Sequence, residues 1–166
     1  MKLPARWRLW LSAASLLLVL AGCASAPRTP PPAEPVAAWS GRLALQVADE
    51  PSQSFSAVFD LRGSARAGEL TLSNPIGGTL AVLSWTPDSA SLRNNGQTHE
   101  FHSVDDLVRK ATGSDIPVAA LFDWLRGVPT AVPGWQPDLS QLAEGRISAS
   151  RVEPAPQASL RVAIDR

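Results

Sequence analysis

Apolar and polar side chains alternate along much of this chain. Leu43, Leu45 and Val47 share one face of residues 41–47, and Phe55, Ala57, Phe59 and Leu61 share one face of residues 54–61. A period of two sends successive side chains to opposite faces of a strand, so both stretches read as half-buried β-strands. Residues 69–73, 79–85 and 90–93 are further short strands. Turn formers separate them: Asp49-Glu50-Pro51, residues 63–68 and 74–78, Pro87-Asp88, and Asn94-Asn95-Gly96. The last of these, followed by residues 97–101, is a strong hairpin signal. Strands this short and regularly spaced predict an antiparallel meander, closed or nearly closed into a barrel. Around residues 80–85 apolar side chains occupy both parities, which predicts that something covers or fills both sides there.

The period then changes. Ser103 reads as a helix N-cap with Asp106 three positions on, in capping-box style, and Val104, Leu107, Val108 and Ala111 follow at helical spacing up to Gly113. A second helix starts near Pro117, with Val118, Leu121, Phe122 and Leu125 at i, i+3, i+4 and i+7 and Gly127 closing it. After Pro129 the pattern is irregular until two more strands, at residues 146–151 and 160–164. The expected fold is mainly β with a helical insert, α+β in class.

Composition adds little until the first residues are considered. The 166 residues suffice for one domain with a sizeable core. Lys2, Arg6 and Arg8 form a positive start, and residues 9–21 are an apolar run of 13 residues broken by Ser12 and Ser15. That is too short for a bilayer span, which takes about 20 residues, and it suits a signal peptide. The run ends in Leu20-Ala21-Gly22-Cys23, which closely resembles the bacterial lipobox. Cys23 is the one cysteine, so no internal disulfide can form. The expectation is cleavage before Cys23 and, by resemblance to that class, a thioether-linked diacylglycerol and an N-acyl chain on it, with no other cofactor. Ala24 follows in place of an aspartate, which by the same resemblance favours the outer membrane. Residues 24–38 carry five prolines and read as an extended polyproline tether of about 3.1 Å per residue. The expected organisation is 1–22 signal peptide, 23–38 lipidated N-terminus and tether, and 39–166 folded domain. Three of the 15 basic residues precede Cys23, leaving twelve against 15 acids. A weakly acidic body of that kind lacks the basic stripe that nucleic acid requires.

Several motifs could carry chemistry. Asn74, Pro75, Ile76, Gly77 and Gly78 fit a type I turn with Asn first, Pro second and Gly fourth, which puts Ile76 near its tip. An isoleucine left in water forgoes about 1.5–3 kcal/mol of burial, although single exposed apolar residues are also ordinary. Trp39, Trp85, Trp124 and Trp135 either line an apolar cavity or fill the core. His99 and His102 fall on opposite faces of a strand with no third ligand evident, so no metal site is expected. Asp105 and Asp106 suit a helix N-terminus, and Asp123 a solvated helix face. No nucleophile elbow, phosphate loop or Cys-His pair occurs, so an enzyme is not expected.

Taken in order, the lipobox, Trp39-Ser40-Gly41-Arg42, the run Leu70-Thr71-Leu72-Ser73-Asn74-Pro75-Ile76-Gly77-Gly78, Ile116-Pro117-Val118, and Leu121-Phe122-Asp123-Trp124-Leu125-Arg126-Gly127-Val128-Pro129 resemble the LolB family. The resemblance covers residues 39–135; beyond Trp135 the chain is about a hairpin shorter than the family pattern and lacks its closing aromatic. It implies an unclosed antiparallel β-barrel with a helical lid over an apolar cavity. It implies a lipid-anchored, monomeric outer-membrane receptor facing the periplasm. Such a receptor takes client lipoproteins from a periplasmic carrier of LolA type and inserts them into outer-membrane lipid. The family's protruding apolar loop residue, usually leucine, maps onto Ile76. On this reading the strands wall the cavity through Leu43, Leu45 and Val47, Phe55 and Phe59, Leu70 and Leu72, and Leu80, Val82 and Trp85. Val118, Leu121, Phe122 and Leu125 would cover it. The rival expectation is a structural or envelope-assembly lipoprotein with a filled core that binds a protein through its surface.

Overall fold

Strand formation follows the alternation. In the computed structural model, which describes residues 36–49, 51, 54–112 and 116–165, β1 (Ala37–Val47), β2 (Phe55–Gly63), β3 (Gly68–Ser73), β4 (Thr79–Trp85), β5 (Ala90–Asn94) and β6 (Gln97–Phe101) form an antiparallel meander. Cys23, the signal peptide and nearly all of the tether lie outside the described residues. Helices α1 (Val104–Thr112) and α2 (Val118–Leu125) follow, and then β7 (Trp135–Asp138), β8 (Arg146–Arg151) and β9 (Ala158–Ile164). β9 pairs with β1, giving one nine-stranded sheet in the order β6-β5-β4-β3-β2-β1-β9-β8-β7. The edge strands β6 and β7 do not pair with each other, so this is an unclosed antiparallel barrel with a helical insert.

Residues directly opposite one another in paired strands share a face. One ladder carries Trp39, Leu61, Leu70, Leu83 and Leu92 across five strands. A parallel row on the other face carries Asp60, Thr71, Val82, Arg93 and Thr98. The apolar face is the concave one, and the helices lie over it. β1 and β9 approach closely at Gly41, where a Cβ would come within 2.0 Å of the Ala163 carbonyl oxygen, so a side chain there would force the strands apart.

Three boundaries differ from the alternation reading. β1 begins at Ala37, within the stretch assigned to the tether. β9 begins at Ala158, two residues earlier than its alternation suggests. β7 arises where the sequence reads as irregular; it contains Pro137, which has no N–H to give and is tolerated because β7 is an edge strand. At the start of α1 the Asp106 N–H donates to Ser103 Oγ at 3.1 Å, the capping bond expected of that serine.

Candidate functional site

A cavity of about 330 Å³ lies between the concave face of the sheet and the two helices. Its sheet wall is made by Leu43 and Leu45 of β1, Phe55, Ala57 and Leu61 of β2, and Leu70 and Leu72 of β3. Leu80, Ala81, Leu83 and Trp85 of β4, Leu92 of β5 and Leu160 of β9 complete it. Val104, Val108 and Ala111 of α1, then Ile116, Val118 and Leu121, form the opposite wall. Among the described residues Ser56, Asn94 and Thr112 are the polar members, and no charged side chain lines it. The Thr112 hydroxyl donates to the Val108 carbonyl at 2.8 Å, which satisfies its proton within the helix. An uncharged space at the lower end of the usual 300–1,000 Å³ range for ligand sites binds by exclusion of water rather than by polar recognition.

Of the residues expected to form the cavity, Leu43, Leu45, Phe55, Leu70, Leu72, Leu80, Trp85, Val118 and Leu121 line it, whereas Val47, Phe59, Val82, Phe122 and Leu125 do not. Val82 belongs to the polar row opposite Thr71 and Arg93, on the outer face. The mixed parity of β4 comes from a β-bulge: Leu72 pairs with Ala81 but Ser73 pairs with Thr79, so Leu80 is an extra residue. A bulged residue leaves the alternation and is re-aimed, which is how both Leu80 and Ala81 line the cavity. Phe122 is 0% exposed and is wedged edge-on between Trp39 and Trp85, with ring centroids 5.6 and 6.2 Å away. It fastens α2 to the sheet. Leu125 and Phe59 are buried core residues, the latter opposite Gly41, and Val47 pairs with Ala158 on the β9 side. The contribution of α1 went unassigned in the sequence, although Val104, Val108 and Ala111 at i, i+4 and i+7 were the available signal.

The tryptophans divide between the two roles. Trp85 lines the cavity and donates its Nε1–H to the Ser64 carbonyl at 3.1 Å. Trp124 is fully buried, donates to the Thr130 carbonyl at 3.0 Å and packs 6.3 Å from Trp135. Asp123 is more than a solvated helix residue: it accepts from Thr130 Oγ1 at 2.7 Å and pairs with Arg126. The Thr130 hydrogen bond, followed by the Arg126 hydrogen bond and charge, holds its carboxyl below the usual carboxylate range. These bonds set the turn that follows α2. Among the described residues no three His, Cys, Asp or Glu side chains gather to hold a metal ion.

The β3–β4 connection is a rigid tip. The Gly77 N–H donates to the Asn74 carbonyl at 3.0 Å, closing the turn, and Gly77 takes a φ of +90° that glycine adopts freely. Asn74 Oδ1 accepts from the N–H groups of Ile76 at 3.1 Å and Gly78 at 2.8 Å, and the Asn74 N–H donates to the Gly78 carbonyl at 2.9 Å. The loop's polar groups are thus turned inward on Asn74. The Ile76 side chain lies outside this network, and the residue is 93% exposed.

Sequence comparison agrees with this geometry. The family model described as outer membrane lipoprotein LolB matches residues 37–157. An outer-membrane lipoprotein LolB of Bordetella petrii is 33% identical over 186 aligned residues, covering 95% of this chain and 93% of that protein. That of Bordetella parapertussis is 38% identical over 128 residues, or 75% of this chain and 64% of the relative. One from a Shewanella species is 34% identical over 128 residues, or 69% and 56%. The chain belongs to the LolB family, the outer-membrane lipoproteins of the lipoprotein-localisation system.

Proposed function

We propose that this chain is a receptor that takes lipoproteins from a periplasmic carrier of LolA type, shelters their acyl chains in the cavity, and releases them into outer-membrane lipid. Cys23, lipidated and joined to the body through the proline-rich stretch, anchors it. The observation that carries this reading is an uncharged, leucine-rich cavity between a curved sheet and two helices.

Acyl chains in water cost about 0.8 kcal/mol per methylene, so dozens of methylenes cannot cross unshielded. Transfer without a nucleotide requires each successive site to bind the chains more tightly than the last. Taking a methylene as about the size of a liquid water, ~30 Å³, the 330 Å³ space holds about ten. Uptake of a whole lipid anchor therefore calls for α1 and α2 to lift from the sheet. Exposed Ile76 then supplies a foothold in the bilayer, where burying it recovers about 1.5–3 kcal/mol.

The test uses the full chain and a fluorescent hexadecanoyl probe. Saturable binding, weakened at least tenfold by Leu121→Asp and unchanged by Arg66→Gln, is expected. A wild-type protein that does not bind the probe would end this reading. Ile76→Glu should keep uptake from the carrier and lose delivery to liposomes.

A further inference from the structure

We infer that the cavity mouth and the tip form one continuous bilayer-docking face, in which Leu80 and Phe55 touch lipid beside Ile76 and acyl chains leave straight into the membrane. This rests on the proposed acyl-carrying role of the cavity.

The strand register places these residues at one pole of the half-barrel. The tip turn lies between Ser73 and Thr79, and Ser73 stands opposite Val58. Phe55 lies three residues further along β2 towards that same pole, paired with Leu45. Asn94, opposite Ala81, brings the β5–β6 turn there as well. Phe55 is 37% exposed and Leu80 47% exposed, yet both also line the cavity. They are therefore where its apolar lining reaches solvent. The bulge is what produces this: without the extra residue, Leu80 would return to the outer face with Val82.

The polarity of the two poles points to the occupant. Of the turns at the tip pole, those joining β3 to β4 and β5 to β6, residues 74–78 and 94–97, contain no charged side chain, whereas the β8–β9 connection there carries Glu153. At the opposite pole the turns carry Arg66 and Asp88, and α1 opens with Asp105 and Asp106. Asp49, at the end of β1, lies at the tip pole on its β9 side, away from β3 and β4. Exposed Ile76 and Leu80, set between two uncharged turns, suit lipid, whose tails accept apolar groups and reject charged ones. The face occurs in an outer-membrane lipoprotein, so a lipid surface lies within reach. With the mouth inside the contact, a departing chain passes from leucine side chains to lipid tails without crossing water.

The experiment places an environment-sensitive label at Ile76→Cys, Leu80→Cys, Phe55→Cys and, as a control at the other pole, Ala67→Cys. Each full-length protein, its Cys23 thiol occupied by lipid, is reconstituted in phosphatidylethanolamine vesicles containing phosphatidylglycerol and nitroxide-labelled lipid. Labels at 76, 80 and 55 should be quenched several-fold more than the label at 67. Quenching at 76 without quenching at 80 and 55 would overturn the docking face, as would quenching at none of them. Leu80→Ser should lower delivery several-fold per molecule of hexadecanoyl probe bound, and Leu80→Met should restore it. Equal delivery on that measure by Leu80→Ser and wild type would also overturn the docking face. Failure of the wild type to bind the probe would instead strike at the acyl-carrying role, and the quenching pattern would still decide the docking face.

Discussion

Replacing Phe122 by alanine offers a sharp test of how the lid is fastened. The ring is 0% exposed and meets Trp39 and Trp85 edge-on, at interplanar angles of 69° and 71°. Truncating a buried phenylalanine costs about 3–5 kcal/mol, and each edge-to-face pair adds about 0.5–1.5 kcal/mol beyond area burial. Neither tryptophan can follow the missing ring easily. The indole of Trp85 is tied to the Ser64 carbonyl, and Trp39 is held in the middle of the sheet by β2. The site cannot collapse, so the cost should be at least about 4 kcal/mol, a large share of the 5–15 kcal/mol that holds a domain together. Phe122→Leu keeps most of the volume and loses the ring pairs, at about 1–2 kcal/mol. Urea unfolding followed by tryptophan fluorescence would give both values. Because Phe122 does not line the cavity, Phe122→Leu should still bind the hexadecanoyl probe. A cost below about 1.5 kcal/mol for Phe122→Ala would refute the wedge, and loss of probe binding in a folded Phe122→Leu would refute its exclusion from the cavity.

Ala81→Phe should fill the cavity, abolishing probe binding while the midpoint of urea unfolding stays level or rises; titration of probe into the folded variant checks it. Asn74→Ala removes the acceptor for two loop N–H groups, so it should lower delivery to liposomes, and Asn74→Asp, which keeps an acceptor, should restore it. Asp123 has a folded-state pKa below its unfolded value of about 3.9. Its contribution is therefore present at neutral pH and is lost as pH falls through the folded-state value. Urea midpoints measured between pH 6 and about 2.5 should drop less steeply for Asp123→Asn than for the wild type. Cys23→Ala should release the protein from membranes, read by fractionation of cells expressing the full chain.

Alternation made β1 and β2 legible because each buries one face and leaves the other wet, whereas β6, exposed but for half-buried Phe101, was legible from the Asn94-Asn95-Gly96 turn before it. It misled at β4, where the reading assigned Val82 to the cavity with Leu80. A bulge shifts the phase by one residue, and no single residue type announces it; the apolar residues on both parities were its trace. The helical stripes of α1 and α2 were evident, but spacing cannot say which stripe faces a hollow and which faces a wedge. Val118 and Leu121 line the cavity, whereas Phe122 and Leu125 pack into the solid part. That division is set by Trp39 and Trp85, far away in sequence. β7 escaped notice because Pro137 argues against a strand unless the strand is known to lie at an edge. Ile76 could be placed at the tip from turn chemistry alone, since Asn, Pro and Gly each have a positional reason there.

The placement of β1 between β2 and β9 has a consequence for how the chain is made. Leu45 has Phe55 on one side, ten positions on, but Leu160 on the other, 115 positions on. The first hairpins can zip locally, whereas the seam between the first and last strands must wait for the whole polypeptide. Distant pairings of this sort fold slowly. Until β9 arrives, β1 presents a bare row of amide groups flanked by Leu43, Leu45 and Val47, ready to pair with a neighbouring molecule. A product cut off before residue 146 would keep that row open permanently and should form aggregates rather than a smaller receptor.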